Sequence, residues 1–252
     1  VHADGASGPL VFTARAVVIA GGYGCRVAPD VAARMGDDSP PRGIAMRGYF
    51  RNIDCSPERI VFSLDRWLLP GYGWIFPLPD GRANVGVGTL VTAGGDDGER
   101  LHLRELWRRF TDDGQSPAMG WLEAAVPDGQ PRTWPLDLGP QRRRLAADGL
   151  AVVGEAAGLV GPLTGSGIAF AMESGEMAGR TLADALAADD VSRQRLRPYS
   201  VALRRRTAPW LRAELLAQRF LADPARVGRL FAAVRPLPMT GTLGARLLLH
   251  LG

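Results

Sequence analysis

A glycine-punctuated segment in the second half of the chain combines residues suited to binding an anion or a cofactor. It spans Leu150–Gly175 and reads LAVVGEAAGLVGPLTGSGIAFAMESG. Gly154 ends a short apolar run, and Glu155 follows with a carboxylate that could accept hydrogen bonds from sugar hydroxyls. Gly165 and Gly167 leave room for a planar ring near the backbone, and the free N–H groups of a helix start favour negative charge. The pattern predicts a cofactor cradle; the alternative is a close-packed loop whose glycines serve only the turn.

Aromatic residues alternate along a second segment, which spans Pro70–Gly88. The three aromatic residues are Tyr72, Trp74 and Phe76. Because side chains two residues apart share one face of a strand, these rings are expected to form an apolar wall. Gly86 and Gly88 on the next predicted strand lack side chains, which leaves room for a long, slim ligand against the sheet. An ordinary sheet core that faces a helix would have the same spacing and is the alternative.

Short strands and amphipathic helices are expected to position these two segments. Apolar runs at 16–20 and 150–154 predict buried strands, and the region 43–91 predicts an antiparallel sheet with a turn at 79–81. The predicted helices are Glu99–Asp112, Gly165–Ala188, Pro198–Leu221 and Pro224–Val234. The pattern indicates an α/β (α+β) fold.

Composition excludes several classes of protein. The 252 residues are 46% hydrophobic and 22% charged, which suits one large domain or two small ones. No run approaches the roughly 18 apolar residues of a membrane-spanning helix. All 30 basic residues are arginine, which excludes Schiff-base lysine chemistry and a Walker A loop. Two cysteines and three scattered histidines predict neither a disulfide framework nor a metal site. The arginines are spread along the chain without a nucleic-acid motif, so no nucleic-acid partner is expected.

Taken together, the two segments resemble the geranylgeranyl reductase family of FAD-dependent oxidoreductases, which are para-hydroxybenzoate-hydroxylase-like flavoproteins. That family carries Tyr-x-Trp-x-Phe-Pro followed by Gly-x-Gly, and it carries an FAD motif that reads roughly Gly-Asp-Ala-Ala-Gly, then Pro-x-x-Gly-x-Gly-Ile. The first motif stands here as Tyr72-Gly73-Trp74-Ile75-Phe76-Pro77 and Gly86-Val87-Gly88. The second stands as Gly154-Glu155-Ala156-Ala157-Gly158 and Pro162-Leu163-Thr164-Gly165-Ser166-Gly167-Ile168.

The resemblance implies an FAD/NAD(P)-binding flavoprotein fold that reduces isolated C=C bonds of a polyprenyl group, geranylgeranyl or menaquinone-type, by hydride transfer from reduced flavin. The implied electron donor is NAD(P)H or a reduced ferredoxin-like protein. The implied FAD-binding residues are Gly154, Glu155, Gly158, Pro162, Thr164, Gly165, Ser166, Gly167 and Ile168. The implied polyprenyl-binding residues are Tyr72, Trp74, Phe76, Pro77, Gly86 and Gly88. No catalytic residue follows from the sequence.

Three departures from the family pattern shape the expected organisation. No complete GxGxxG is present, the turn after Ala20 lacks the usual acid, and Glu155 replaces the usual aspartate. We therefore expect this chain to be the C-terminal portion of a longer flavoprotein. We also expect the chain by itself to bind FAD weakly or not at all. The expected domains are 1–30 and 141–190 for FAD, 31–140 for an antiparallel-sheet substrate domain, and 191–252 for a C-terminal helical region.

A cytoplasmic location is expected, with peripheral membrane contact as a hypothesis. The apolar residues at helical spacing are Trp210, Leu211, Leu215, Leu216 and Phe220, with arginines around them. A helix docked on the body of the protein would give the same pattern. Two other functions stay open, namely a flavin-dependent monooxygenase or halogenase of the same architecture, and a non-catalytic prenyl- or lipid-binding module. The oligomeric state is not predicted.

Overall fold

A computed structural model of the protein describes residues 2–5, 8–23, 43–54, 58–65, 67–91, 96–112, 120–138, 144–221, 223 and 226. The chain divides into two compact units. The first, called the loop unit, comprises Val1–Pro40 and Asp137–Leu215. The second, called the sheet unit, comprises Pro41–Leu136 and Leu216–Gly252. Most of the predicted helix 224–234 and the predicted loop 30–42 lie outside the described residues.

Eleven strands and three α-helices are defined in the described ranges. The strands are β1 (His2–Gly5), β2 (Gly8–Val11), β3 (Val17–Ile19), β4 (Gly43–Arg51), β5 (Val61–Ser63), β6 (Tyr72–Pro77), β7 (Arg82–Leu90), β8 (Val126–Pro127), β9 (Arg132–Leu136), β10 (Ala146–Ala147) and β11 (Leu150–Val152). The helices are α1 (Asp96–Thr111), α2 (Ile168–Ala187) and α3 (Arg193–Leu221). None of these helices is both long and apolar enough to cross a bilayer.

The loop unit is built on a small mixed sheet with the order β10-β11-β3. The two predicted buried strands pair in parallel, with Leu150 opposite Val17 and Val152 opposite Ile19. Strands β1 and β2 form a separate hairpin. A 3-10 turn at Gly154–Ala157 follows β11 directly. The parallel pair therefore places two strand ends at one edge, where ligands gather in sheets of this class.

Helices α2 and α3 cover this small sheet with their apolar faces. Ala178 and Leu182 of α2 and Leu196 and Leu203 of α3 belong to the same buried core as β11. The hydroxyl of Tyr199 donates a hydrogen bond of 2.5 Å to the carbonyl of Val152, and burial raises the pKa of this hydroxyl. The core thus fixes the strand whose end carries the glycine loop.

Helix α3 begins five residues before its predicted start at Pro198. The Ser192 hydroxyl accepts a hydrogen bond from the N–H of Arg195, and the Asp148 carboxylate accepts one from the N–H of Arg193. These groups cap the helix, and the helix continues through Pro198 and Pro209. Capping side chains, rather than the first proline, therefore define where α3 begins.

The sheet unit contains the predicted antiparallel sheet. Its strands follow the order β5-β6-β7-β4, and both β8 and β9 pair with β4. One face of the sheet packs against α1, whose Leu103, Leu106 and Phe110 are buried together with Val85 and Val87 of β7. Because side chains alternate along each strand, the residues between these positions lie on the opposite face, away from α1.

Candidate functional site

Gly154 stands where β11 ends, in a conformation that only glycine adopts readily. Its φ is +59°, and a Cβ at this position would lie 3.2 Å from the Cβ of Ala171 on α2. Its N–H donates a hydrogen bond of 2.9 Å to the hydroxyl of Ser174, which is fully buried. Gly158 then closes the 3-10 turn with φ of +69°. Both glycines are thus required by the backbone, whether or not a ligand is present.

Glu155 follows with a buried carboxylate oxygen for which the described part of the chain supplies no hydrogen-bond donor. Among the described residues, its Oε1 is the one buried side-chain polar atom without a hydrogen bond. Its other oxygen faces Gly22 after strand β3, where a Cβ would come within 3.5 Å of Oε2. Buried acceptors are normally satisfied. The site therefore has an acceptor that no described residue occupies and that a ligand donor such as a sugar hydroxyl would satisfy.

The loop between the 3-10 turn and α2 is held by a network centred on Glu214 of α3. The Glu214 carboxylate accepts hydrogen bonds of 3.1 Å from the N–H groups of Leu163 and Thr164 and from the Thr164 hydroxyl. Trp210 donates its indole N–H to the same carboxylate at 2.6 Å. Glu214 is only 6% exposed. No sequence motif pointed to this residue.

Helix α2 begins without a side-chain cap among the described residues and with exposed apolar side chains. Gly167 is its N-cap, and no side chain of the described residues bonds to the cap. The first N–H groups of a helix have no partner within the helix. Ile168 is 81% exposed and Met172 is 72% exposed, and residues four apart share a helix face. This end of α2 thus offers N–H donors beside an apolar surface, an arrangement that suits the edge of a planar anionic ring.

The three predicted aromatic residues share the face of the sheet that lies opposite α1. The ring centroids of Tyr72 and Trp74 are 5.8 Å apart, and those of Trp74 and Phe76 are 6.1 Å apart. Phe62 of β5 joins them, at 5.7 Å from Tyr72 and 5.4 Å from Phe76. The aromatic wall therefore contains four rings. Phe62 lies in a predicted strand, and its period-two position could have identified it.

The space over Gly86 is filled by the protein itself, which differs from the expected room for a ligand. Trp74 lies directly opposite Gly86, and a Cβ at Gly86 would be 2.1 Å from the indole Cζ2. The indole N–H of Trp74 donates to the side chain of Asn84 at 3.0 Å, which holds the ring flat on the sheet. A Cβ at Gly88 would make only ordinary contacts, at 3.7 Å. A ligand on this face would consequently contact the outer side of the rings.

Two arginines continue the same face beyond the aromatic wall. Arg47 of β4 lies opposite both Gly86 of β7 and Arg132 of β9. Within the described ranges neither arginine has an acidic partner, although the Arg47 guanidinium lies 4.7 Å from the ring of Tyr49. Like charges directly opposite each other on a sheet are destabilising. This arginine pair was not identified from the sequence, and two positive charges on one face favour a negatively charged ligand group.

The residues considered for membrane contact do not form one exposed stripe. Leu211 is only 5% exposed and belongs to the core of the loop unit, and Leu215 is half-buried. Trp210 and Leu216 are exposed. Helix α3 docks on the body through Leu196, Leu203 and Leu211 because these positions share its core-facing side. In the part of the chain that the structure describes, no three metal-binding side chains lie together.

Known proteins resemble this chain both in sequence and in fold. The chain is 33% identical over 170 residues to digeranylgeranylglycerophospholipid reductase 2 of Methanothermobacter thermautotrophicus, covering 67% of this chain and 40% of that relative. It is 34% identical over 148 residues to menaquinone reductase of Mycobacterium tuberculosis, covering 56% of this chain and 34% of that relative. The chain thus spans well under half the length of these relatives. No family model matches the chain.

Two solved structures share the fold. A geranylgeranyl bacteriochlorophyll reductase-like protein of Thermoplasma acidophilum superposes with a TM-score of 0.75 and 25% identity, over 93% of this chain and 58% of that one. The myxobacterial halogenase CndH, a variant of the FAD-dependent halogenases, gives a TM-score of 0.64 at 24% identity over 85% of this chain and 49% of that one. The second likeness shows the fold alone.

The fold is that of the FAD-binding flavoproteins, as predicted. Within that class, the chain is a homologue of the geranylgeranyl reductases and menaquinone reductases, so the resemblance read from its two motifs is confirmed. The individual binding roles of Gly154–Ile168 and of the aromatic wall stay predictions, as do the domain boundaries.

Proposed function

We propose that this chain supplies the flavin-facing loop and the substrate-facing sheet of an FAD-dependent polyprenyl reductase. The observation that carries the proposal is the buried Oε1 of Glu155, just after β11, which has no hydrogen-bond partner in the part of the chain that the structure describes. A sugar hydroxyl of FAD would satisfy this acceptor. The homologous reductases, which act on polyprenyl lipids or menaquinone according to their names, support the same conclusion.

The loop unit fits FAD through three features of its own residues. Glu155 would accept a hydroxyl of the ribose or ribityl chain. The N–H groups at Gly167 and Ile168 would donate to the edge of the flavin that becomes negatively charged on reduction. The exposed side chains of Ile168 and Met172 would lose water on contact with the ring. The remaining predicted FAD-binding residues are Gly154, Gly158, Pro162, Thr164, Gly165 and Ser166.

The sheet unit would orient the polyprenyl chain along its aromatic wall. Bound FAD supplies hydride chemistry, and NAD(P)H or a reduced ferredoxin-like protein is the proposed electron donor. The rings of Tyr72, Trp74 and Phe76 would exclude water and align an alkene, while Pro77 ends the strand that carries them. Tyr72 carries the only ionisable group of the wall.

The head group of the proposed substrate carries phosphate. Arg47 and Arg132 lie opposite each other on the face that bears the aromatic wall, two and three strands from β6. At about 4.8 Å between strands, they lie roughly 10–14 Å from the wall. Arginine binds phosphate through paired N–H donors. The pair favours an anionic polyprenyl substrate over one with an uncharged quinone head.

Peripheral membrane contact is part of the proposal, because a polyprenyl substrate resides in a bilayer. Trp210 and Leu216 are exposed on α3, and arginines surround them. A cytoplasmic location with membrane association would bring such a face to anionic lipids. Co-sedimentation with anionic liposomes tests this part, and failure to co-sediment contradicts it.

The experiment for the proposed function uses the natural polypeptide that contains this chain. It is loaded with FAD, reduced with dithionite and incubated with geranylgeranyl diphosphate, and the product is analysed by mass spectrometry. We expect hydrogen to be added across C=C bonds. If the reduced protein, exposed to O₂ with an aromatic compound and chloride, instead hydroxylates or halogenates that compound and leaves the polyprenyl chain unchanged, the monooxygenase or halogenase alternative is correct. If it binds the polyprenyl chain but no FAD, the chain is a binding module.

A further inference from the structure

We infer that Glu214 of α3 is a positioning residue, which fixes the loop 161–166 in the shape that presents the start of α2 to the flavin. The inference rests on the proposed function, since it concerns the same cofactor. Glu214 lies outside both motifs and is about 50 residues from the loop in sequence. It acts through the loop backbone and not through contact with a ligand.

The contacts of Glu214 are unusually complete for one side chain. Its Oε2 accepts the N–H groups of Leu163 and Thr164, each at 3.1 Å, and the Thr164 hydroxyl lies 3.1 Å from both carboxylate oxygens. Its Oε1 accepts the indole N–H of Trp210 at 2.6 Å. Glu214 is also the only acidic residue in a helix that contains eight arginines. The loop and Trp210, which lies one turn away on α3, therefore donate hydrogen bonds to both carboxylate oxygens of this buried acid.

The loop backbone is shaped to receive this carboxylate. A Cβ at Gly161 would lie 2.4 Å from Glu214 Oε2 and 2.7 Å from Thr164 Oγ1. Gly161 also holds the loop closed, because its N–H donates to Ser166 at 2.8 Å and its carbonyl accepts from Gly165 at 2.9 Å. No positive φ is found at Gly161, so glycine is required there for the approach of Glu214 rather than for backbone conformation.

A chain of hydrogen bonds runs from Glu214 through Thr164 to Ser166, the residue before the N-cap of α2. The Thr164 hydroxyl donates its proton to Glu214, so it accepts from the Ser166 hydroxyl at 2.7 Å and from the Ser166 N–H at 3.3 Å. Ser166 is followed directly by Gly167, the N-cap. Glu214 occupies the N–H groups of Leu163 and Thr164, while no side chain of the described residues caps the start of α2. The orientation of the proposed flavin donors therefore depends on a residue of α3.

The test compares Glu214→Gln with Glu176→Gln in the natural polypeptide that contains this chain. Glutamine keeps the volume and one acceptor oxygen but cannot accept all the donors, whereas Glu176 is an exposed carboxylate of α2 paired with Arg180. We expect FAD affinity, measured by flavin fluorescence, to fall at least about tenfold in Glu214→Gln because hydrogen bonds to a charged group are lost. Hydrogen–deuterium exchange of peptide 161–167 should also rise. Glu176→Gln should change neither.

Gly161→Ala provides a second variant in case Glu214→Gln does not fold. It keeps the carboxylate but pushes it off the loop, so it should also weaken FAD binding and raise exchange in peptide 161–167. If either folded variant binds FAD within twofold of the wild type, the inference is wrong and Glu214 only stabilises the fold. If the wild-type polypeptide itself binds no FAD, the proposed function fails, and the inference fails with it.

Discussion

Glycines serve different purposes in the two units of this protein. In the loop unit, Gly154 and Gly165 have positive φ values, +59° and +64°, so the backbone itself requires them. In the sheet unit, Gly86 has an ordinary extended backbone and is required because the indole of Trp74 lies on it. A glycine in a motif thus indicates either a backbone with positive φ or the close approach of another side chain. The two cases predict different consequences for substitution.

The two units also differ in which atoms face the proposed ligand. The loop unit offers backbone N–H groups at Gly167 and the unpartnered oxygen of Glu155. The sheet unit offers ring faces and arginine side chains. The proposed function therefore assigns the cofactor to the loop unit and the polyprenyl chain to the sheet unit, and it predicts that substitutions affect one affinity without the other.

The largest expected effect comes from Glu155→Ala in the loop unit. Loss of a hydrogen bond to a carboxylate should weaken FAD binding about 10- to 100-fold. The free energy of unfolding should not fall, because Oε1 has no partner to lose. FAD titration and urea unfolding measure the two quantities, with the exposed Glu123→Ala as control. If Glu155→Ala binds FAD like the wild type, Glu155 is not an acceptor for FAD, and the proposed function loses its main support.

The next effect comes from Gly86→Ala in the sheet unit. The added methyl group would force Trp74 from its place, which should lower the free energy of unfolding by about 1–3 kcal/mol and weaken polyprenyl binding. FAD affinity should not change. Gly120→Ala is the matched control, since a Cβ there meets nothing within 4 Å. Urea unfolding followed by tryptophan fluorescence measures the change; equal stability of the two variants would contradict the packing described for Trp74.

A smaller effect is expected for the double variant Arg47→Gln, Arg132→Gln. The wild type should bind geranylgeranyl diphosphate more tightly than uncharged geranylgeraniol, by about tenfold or less because the arginines are partly exposed. The variant should lose that preference, and added salt should reduce it in the wild type. Quenching of tryptophan fluorescence measures both affinities. An unchanged preference in the variant would show that the head group binds elsewhere.

The smallest effect concerns the pH dependence of the sheet unit. Arg51 and Arg82 donate to the Asp128 carboxylate and hold its pKa below the ordinary value. Because the folded-state pKa is lowered, the ion pairs of Asp128 stabilise the folded state in full above about pH 4. This stabilisation is lost as the pH falls through the lowered pKa. Asp128→Asn should therefore lose less stability on acidification than the wild type. Thermal unfolding at several pH values measures this loss. If the wild type and Asp128→Asn lose equal stability on acidification, the lowered pKa of Asp128 does not contribute to stability.

Local features of both sites could be predicted from the sequence. The period-two spacing of Tyr72, Trp74 and Phe76 determines a shared face in any strand, and a carboxylate directly after an apolar run places Glu155 at a strand end. The apolar periodicity also located α1 and α2 to within a few residues. These features depend only on residues close together in the chain.

Long-range contacts could not be predicted in the same way. Glu214 reaches Thr164 across 50 residues, and Ser174 reaches Gly154 across 20. The packing of Trp74 over Gly86 depends on the register between β6 and β7, which one sequence does not determine. The sequence indicates Glu214 only weakly, because it is the single acidic residue of α3 and lies among apolar residues and arginines.

The most direct test of the central claim is an FAD titration of the wild-type natural polypeptide beside Glu155→Ala and Gly86→Ala, with polyprenyl binding measured on the same samples. We predict that Glu155→Ala loses FAD affinity and keeps polyprenyl affinity, and that Gly86→Ala loses polyprenyl affinity and keeps FAD affinity. If both variants lose both affinities together, or if Glu155→Ala binds FAD like the wild type, the assignment of cofactor to the loop unit and chain to the sheet unit is contradicted.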